Sequence, residues 1–229
     1  MPNHITNRLI IKADNQIVEK VLEFLKGEPY DDGSLRYIDF NKIVPIPEGL
    51  TIESSTLGEY GMNYLIAKQK KYFHSTQDLE AVKRFESLGN DLQEKALSIG
   101  RQYLHNIADY GFKDWYDWCI KYWGTKWNAY DQRFEEPNII WFNTAWSGVI
   151  GLICKLSEMF PDVEFDYSYA DEDTGSNTGR GTIINGVSNI SFLLNQSSEA
   201  YELAFELMPD KKEYYEFTDD GYKYKEEEE

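Results

Sequence analysis

Asn138-Ile-Ile-Trp-Phe-Asn-Thr-Ala145, Ser147-Gly-Val-Ile-Gly-Leu-Ile-Cys-Lys-Leu-Ser-Glu-Met-Phe160 and Val163-Glu-Phe-Asp-Tyr-Ser-Tyr169 follow one another with only one or two residues between them. The first is a run of large apolar and β-branched residues and reads as a strand. In the second, Ser147 is placed to cap a helix whose Val149, Ile150, Ile153, Leu156 and Phe160 recur at helical spacing until Pro161 stops it. In the third, Val163, Phe165, Tyr167 and Tyr169 alternate with Glu164, Asp166 and Ser168, the pattern of a strand with one buried and one wetter face. The stretch is a β-α-β unit.

A second such unit opens the chain. Ile5 to Ile11 is apolar and β-branched, and Asp14-Asn15 then caps a stretch in which Ile17, Val18, Val21, Leu22 and Leu25 share a helical face up to Gly27. Tyr37 to Val44 reads as the next strand, ended by Pro45-Ile-Pro47, where missing N–H groups stop ladder pairing. Two β-α-β units in one sheet describe an α+β protein, a ferredoxin-like βαββαβ sandwich with helices on one face of an antiparallel sheet. From about Ser54 to Tyr130 the pattern turns helical, with Leu92, Ala96, Ile99, Tyr103 and Ile107 on one face of a helix that Asn90 caps and Gly111 ends. That segment is a helical insertion. After Asp171 to Gly181, Thr182-Ile-Ile184 and the hairpin signal Asn185-Gly186 predict an extra strand pair. A last helix follows, capped by Ser197 or Ser198 and closed by Pro209. The expected divisions are 1–53 and 132–209 as the two halves of the core, the latter with the C-terminal hairpin and helix, 54–131 as the insertion, and 210–229 as a loosely held acidic tail. Tyr214, Tyr215 and Phe217 are its available anchors.

The chain has 229 residues, enough to bury a core without staples. Cys119 and Cys154 lie in helix-patterned apolar segments without CxxC spacing, so thiols in a reducing compartment are expected. No basic start leads into an apolar stretch, and no run approaches a membrane span, so the expectation is a cytoplasmic protein without secretory leader or membrane partner. The formal charge of −17, from 40 acidic and 23 basic side chains, disfavours direct binding to nucleic-acid phosphates. The same charge would suit an acidic mimic of DNA.

All six tryptophans fall between Trp115 and Trp146, most of them in Asp114-Trp-Tyr-Asp-Trp-Cys-Ile-Lys-Tyr-Trp-Gly-Thr-Lys-Trp-Asn-Ala-Tyr-Asp131. Such a cluster builds either a heavy core joint or a recognition surface. Phe112, Trp115, Cys119 and Tyr122 share one helical face and Tyr116, Ile120 and Trp123 another, so a helix apolar nearly all round, and buried, is expected there. Lys126 and Asn128 are polar groups that a core must pair, and with Trp127 and Tyr130 they outline a site with Asp114, Asp117 or Asp131 as counter-charges. Asn7 and Asn143, poor strand formers inside strands, are expected to bond loop backbone. Asp171-Glu-Asp-Thr-Gly175 lacks the ligands and closing glutamate of a calcium loop, and His4, His74 and His105 follow no metal-ligand spacing. No metal or cofactor is expected.

Met1-Pro-Asn-His-Ile-Thr-Asn-Arg-Leu9, Asp39-Phe-Asn-Lys-Ile-Val-Pro-Ile-Pro47, Asp114-Trp-Tyr-Asp-Trp-Cys119, Trp123-Gly-Thr-Lys-Trp-Asn-Ala-Tyr130 and Phe142-Asn-Thr-Ala-Trp-Ser147 together resemble the YubB-like family, small proteins of plasmids, phages and related mobile elements. The resemblance runs in order from Met1 to about Asp173 and implies a ferredoxin-like fold and a mobile-element origin. The family brings no established activity or catalytic residues with it. After Trp146 the chain departs from it, with Ser147-Gly148 where many members carry a proline-rich turn. The functional expectation is an accessory protein that binds a host or phage protein, in a counter-defence role, through Trp115, Trp118, Lys126, Trp127, Asn128, Tyr130 and Trp146. Two alternatives stand beside it: an enzyme or small-ligand sensor with a pocket between sheet and insertion, and the acidic DNA mimic.

Overall fold

A computed structural model describes residues 3–70 and 75–225. His74 and the terminal run 226–229, both named above, lie outside the described residues. In chain order the elements are β1 (His4–Lys12), α1 (Asn15–Leu25), α2 (Phe40–Ile43), α3 (Thr56–Gln69), α4 (Thr76–Glu86), α5 (Asn90–Tyr110), α6 (Trp115–Tyr122), β2 (Tyr130–Glu135), β3 (Ile139–Ala145), α7 (Ile150–Met159), β4 (Glu164–Asp171), β5 (Gly179–Ile184), β6 (Val187–Ser188), β7 (Ser191–Phe192), α8 (Ser198–Leu207), β8 (Tyr215–Thr218) and β9 (Gly221–Tyr224). Short 3-10 turns occupy Glu48–Leu50 and Pro209–Tyr214. The chain divides into two compact units, residues 1–45 with 119–229, and residues 46–118.

The first unit is the ferredoxin-like sandwich. Its antiparallel sheet runs β2-β3-β1-β4-β5-β6, with β7 also on β5, so the order of elements is β1-α1-β2-β3-α7-β4 once the intervening residues are set aside. The second strand of that series is Tyr130–Glu135, not the stretch Tyr37 to Val44. Residues 40–43 form α2 instead, because Asp39 caps it by accepting from Asn41 N at 2.9 Å and because Phe40 and Ile43, three apart, both turn inward. The positive-φ pair Asn185-Gly186 at the β5–β6 turn is present as expected, whereas the alternation predicted for β4 holds only from Glu164 to Tyr167, since Ser168, Ala170 and Asp171 are buried as well.

One sheet face carries Ile5, Asn7, Leu9 and Ile11 of β1, all fully buried, with α1 packed on β1 and α7 on β4 and β5. Phe24 at the end of α1 meets Phe160 edge-on at 5.4 Å, and Phe40 of α2 meets Phe142 at 6.0 Å. Asn7 is the polar exception on this face. Its amide donates to Ile5 O, Phe142 O and Thr144 Oγ1, while its carbonyl accepts from Tyr167 Oη at 2.5 Å. Tyr167 Oη accepts in turn from Val149 N, and Thr144 Oγ1 donates to Ser147 O, so the network reaches the β3–α7 corner through Asn7's neighbours. Full burial pushes the Tyr167 hydroxyl far above its ordinary range. Ser147 is not the cap of α7. That place falls to Val149, and the Ser147 hydroxyl donates to Gly124 O. Asn143 bonds a side chain, Asp131 Oδ2 at 3.3 Å.

The opposite face is also covered, which corrects the one-sided arrangement expected. α8, capped by Ser197, packs Leu203, Ala204 and Leu207 against Trp141 and Ala170. Across this face Arg133, Trp141, Arg8, Ser168 and Arg180 stand in cross-strand register on five neighbouring strands. The guanidinium carbons of Arg133 and Arg8 lie 4.2 Å and 5.6 Å from the Trp141 ring centroid. Glu206 of α8 bridges Arg8 at 2.7 Å and Arg180 at 3.2 Å. The segment after Pro209 forms the β8–β9 hairpin, whose Tyr215 and Tyr222 pack on Tyr201 and Phe205 at centroid distances of 5.1–5.6 Å. Tyr215 was among the anchors expected. Tyr214 and Phe217 are exposed.

The second unit crosses α3 on α5 through small residues. A Cβ on Gly61 would lie 1.8 Å from Ala96 O, and one on Gly100 would lie 2.3 Å from Met62 N. The buried face of α5 is Ala96, Gly100, Tyr103 and Asn106, whereas Leu92 and Ile107 are exposed. Gly89, not Asn90, stands at the N-cap, and Gly111 at φ 78° ends the helix. Tyr103 Oη donates to Glu53 O and accepts from Ser55 N, and Asn106 Nδ2 donates to Gly49 O and Lys113 O.

Candidate functional site

The sandwich brings the start of β1, β2 and β5 and the end of β3 and β4 to one end of the sheet, where His4 pairs with Ala145, Ile5 with Asp171 and Tyr169 with Gly179. The loop from Trp123 to Ala129 is stitched to this end. Trp123 Nε1 donates to Val44 O at 2.8 Å, and Thr125 exchanges two hydrogen bonds with the backbone of Ala145. Gly124 takes φ 77° and its carbonyl accepts from Ser147 Oγ. Between these fixings the loop projects Lys126 and Trp127.

Trp146 is presented by a second set of bonds. Its backbone holds φ 71°, a conformation that costs a bulky residue of order 1–3 kcal/mol and persists only where the surroundings over-determine it. The restraints are Trp146 N donating to Asn3 O at 3.0 Å and Asn177 Nδ2 donating to Trp146 O at 3.0 Å. Both asparagines also donate to the buried carboxylate of Asp171, which accepts from Asp173 N as well. Asp171 thus organises the turn that resembled a calcium loop. Gly148 lets the corner approach Tyr169, whose ring would lie 2.6 Å from an added Cβ.

The indoles so held are 36% exposed at Trp127 and 41% exposed at Trp146, too open for core residues. Lys126 Nζ lies 4.4 Å from the Trp127 ring centroid and 5.4 Å from that of Trp146. Tyr130 stands edge-on to Trp127 at 6.3 Å and to His4 at 5.6 Å, and its hydroxyl is 2.7 Å from His4 Nδ1 and 3.2 Å from Thr144 O. Burial first, then the charges of Asp131 and Glu172, push that hydroxyl up to about 12, so it is neutral at pH 7.

Of the seven residues picked from the sequence, the structure gathers Lys126, Trp127, Tyr130 and Trp146 on this surface. Asn128 is adjacent but turned away: its carbonyl accepts from Phe40 N and Ala129 N, and its amide donates to Asp39 Oδ1 at 2.7 Å. It secures the start of α2. Trp115 and Trp118 belong to the other unit, Trp115 half-buried and Trp118 buried. The helix that carries them, α6, is not buried all round, since Ile120 and Tyr122 are exposed. The residues that sequence reasoning passed over are Asn3, His4, Asp171 and Asn177. Asn3 and His4 lie about 170 residues from Asp171 and Asn177, and strand register brings the two pairs together, which no local pattern announces.

No curated protein matches this chain. Among solved structures, the crystal structure of a protein api92 from Yersinia pseudotuberculosis is similar at 11% sequence identity and a TM-score of 0.41, over 85% of this chain and 99% of that one. Residues 122–208, which carry β2 to β7, α7, α8 and both exposed indoles, match the family model described as the ferredoxin-like domain in Api92-like protein.

Proposed function

We propose that this chain is a protein-binding module that engages its partner through the strand-end surface of Trp127 and Trp146, with Lys126 and Tyr130 beside them. The observation that supports the reading is the exposure of two tryptophans, one of them on left-handed backbone held by the Asn3 carbonyl and the Asn177 amide, both asparagines being tied to Asp171. Tryptophan and tyrosine anchors on a pre-ordered scaffold bind with little ordering cost, the composition of interface hot spots. The YubB-like resemblance implies a mobile-element origin, and we infer from that origin that the partner is a host or phage protein and the role counter-defence. The formal charge of −17 favours one second reading, an acidic mimic that occupies the basic groove of a nucleic-acid enzyme.

Affinity capture from host lysate with tagged wild type and a Trp127→Ala/Trp146→Ala variant tests the proposal. A stoichiometric partner retained by wild type and lost by the folded variant is expected. Capture of the same protein by both, or of none, overturns it. Capture that collapses between 50 and 300 mM salt in both proteins favours the mimic, because aromatic contacts are far less screened than charges.

A further inference from the structure

This inference rests on the reading of the strand-end surface as a protein-binding site and concerns the group that it recognises. The ammonium of Lys126 already faces both indoles, at 4.4 Å and 5.4 Å. Cations are drawn to such faces by the negative centre of the ring quadrupole. Tyr130, edge-on to Trp127, lies within the field of Asp131 and Glu172, and Glu172 Oε1 accepts from His4 N at 2.9 Å in the same rim. Ring faces and carboxylates therefore attract the same charge sign, on a chain that is strongly acidic throughout.

Lys126 fills this position from a flexible four-carbon stem on a loop, and its compact ammonium is strongly hydrated. A guanidinium is planar, less hydrated and stacks on indole over its whole face. We propose that Trp127 and Trp146 form a cation seat for an arginine side chain of the partner protein, and that Lys126 is the intramolecular occupant which that arginine displaces. The complementary partner surface is basic, and the acidic rim of Asp131 and Glu172 orients it.

The test uses the full chain and acetyl-arginine amide as probe, with uncharged acetyl-citrulline amide as its isosteric control. Indole N–H signals are followed by NMR at constant ionic strength. In Lys126→Met, which keeps the stem and removes the charge, the arginine probe is expected to bind about two- to fivefold more tightly than in wild type, the change that one cation–π contact of about 0.5–1 kcal/mol produces. Lys126→Arg refills the seat with the better-stacking group and brings probe binding down to the wild-type level or below it. Adding Trp127→Ala to Lys126→Met abolishes binding, and the citrulline probe shifts nothing. Equal binding of both probes, no gain in Lys126→Met, or binding that survives Trp127→Ala overturns the seat. The two proposals fail separately. Loss of a captured partner in Trp127→Ala/Trp146→Ala with a failed titration leaves the interface and removes the seat, whereas arginine-specific binding without any partner leaves the seat and removes the interface.

Discussion

Asn128 and Lys126, two residues apart, separate structural from recognition roles. Asn128 satisfies Phe40 N, Ala129 N and the Asp39 carboxylate from one amide. Asn128→Ala is expected to cost about 1–3 kcal/mol in chemical denaturation, because it leaves donors near α2 unmet. Lys126→Ala, which removes a half-buried cation from the faces of two rings but leaves no backbone donor unmet, is expected to cost less than that. The sequence could pick out both as polar residues amid aromatics but could not sort them, since the partner of Asn128 lies 88 residues earlier. Titration adds a further expectation. Burial raises the hydroxyls of Tyr103, Tyr130, Tyr167, Tyr169 and Tyr201 in the folded chain, whereas in the unfolded chain they ionise near 10. The folded state therefore holds protons that the unfolded state releases, and this stability, present in full below pH 10, is lost as pH rises toward 12 and beyond. Tyrosinate absorbance should accordingly rise in step with unfolding, and early ionisation of all 17 tyrosines in a folded chain would contradict it.

Elements were legible where period and burial agreed. β1, α1, β3, α7, β4 and α8 follow from alternation or helical spacing with a punctuating proline or glycine. Residues 37–44 misled because a β-branched, aromatic stretch before a proline fits a strand, while Asp39 and Asn128 supply caps that start a helix. α5 was placed correctly as an element but turned by part of a turn, because its contact with α3 depends on glycine and alanine, which carry no hydrophobic signal. That contact has a measurable consequence. Gly61→Ala drives a methyl into Ala96 O and should lower stability by about 1–3 kcal/mol or more, read as a reduced melting temperature with α3 and α5 forced apart. Exposed Gly89 has open space around its missing side chain, so Gly89→Ala should stay within about 1 kcal/mol of wild type.

At the scale of the molecule, 40 acidic side chains against 23 basic ones make self-repulsion a term in stability. Raising sodium chloride from 10 to 200 mM should therefore raise the melting temperature, and deletion of Glu226–Glu229 should weaken that dependence; a melting temperature indifferent to salt would count against it. Composition told this much, the β-α-β unit of residues 138–169 told the fold class, and Lys126, Trp127, Tyr130 and Trp146 were legible from their aromatic setting; the residues that hold them, Asn3, His4, Asp171 and Asn177, escaped because only the complete sheet juxtaposes its strand ends. The same sheet sets a constraint on synthesis. β1 leaves the ribosome well before either of its neighbours, since β3 and β4 begin at residues 139 and 164, while the helical unit of residues 46–118 is contiguous and is made in between. Until Ile139 emerges, the central strand of the sandwich has no strand to pair with, so any chain that stops short of that point carries an apolar ribbon, Ile5 to Ile11, open on both edges to whatever it meets.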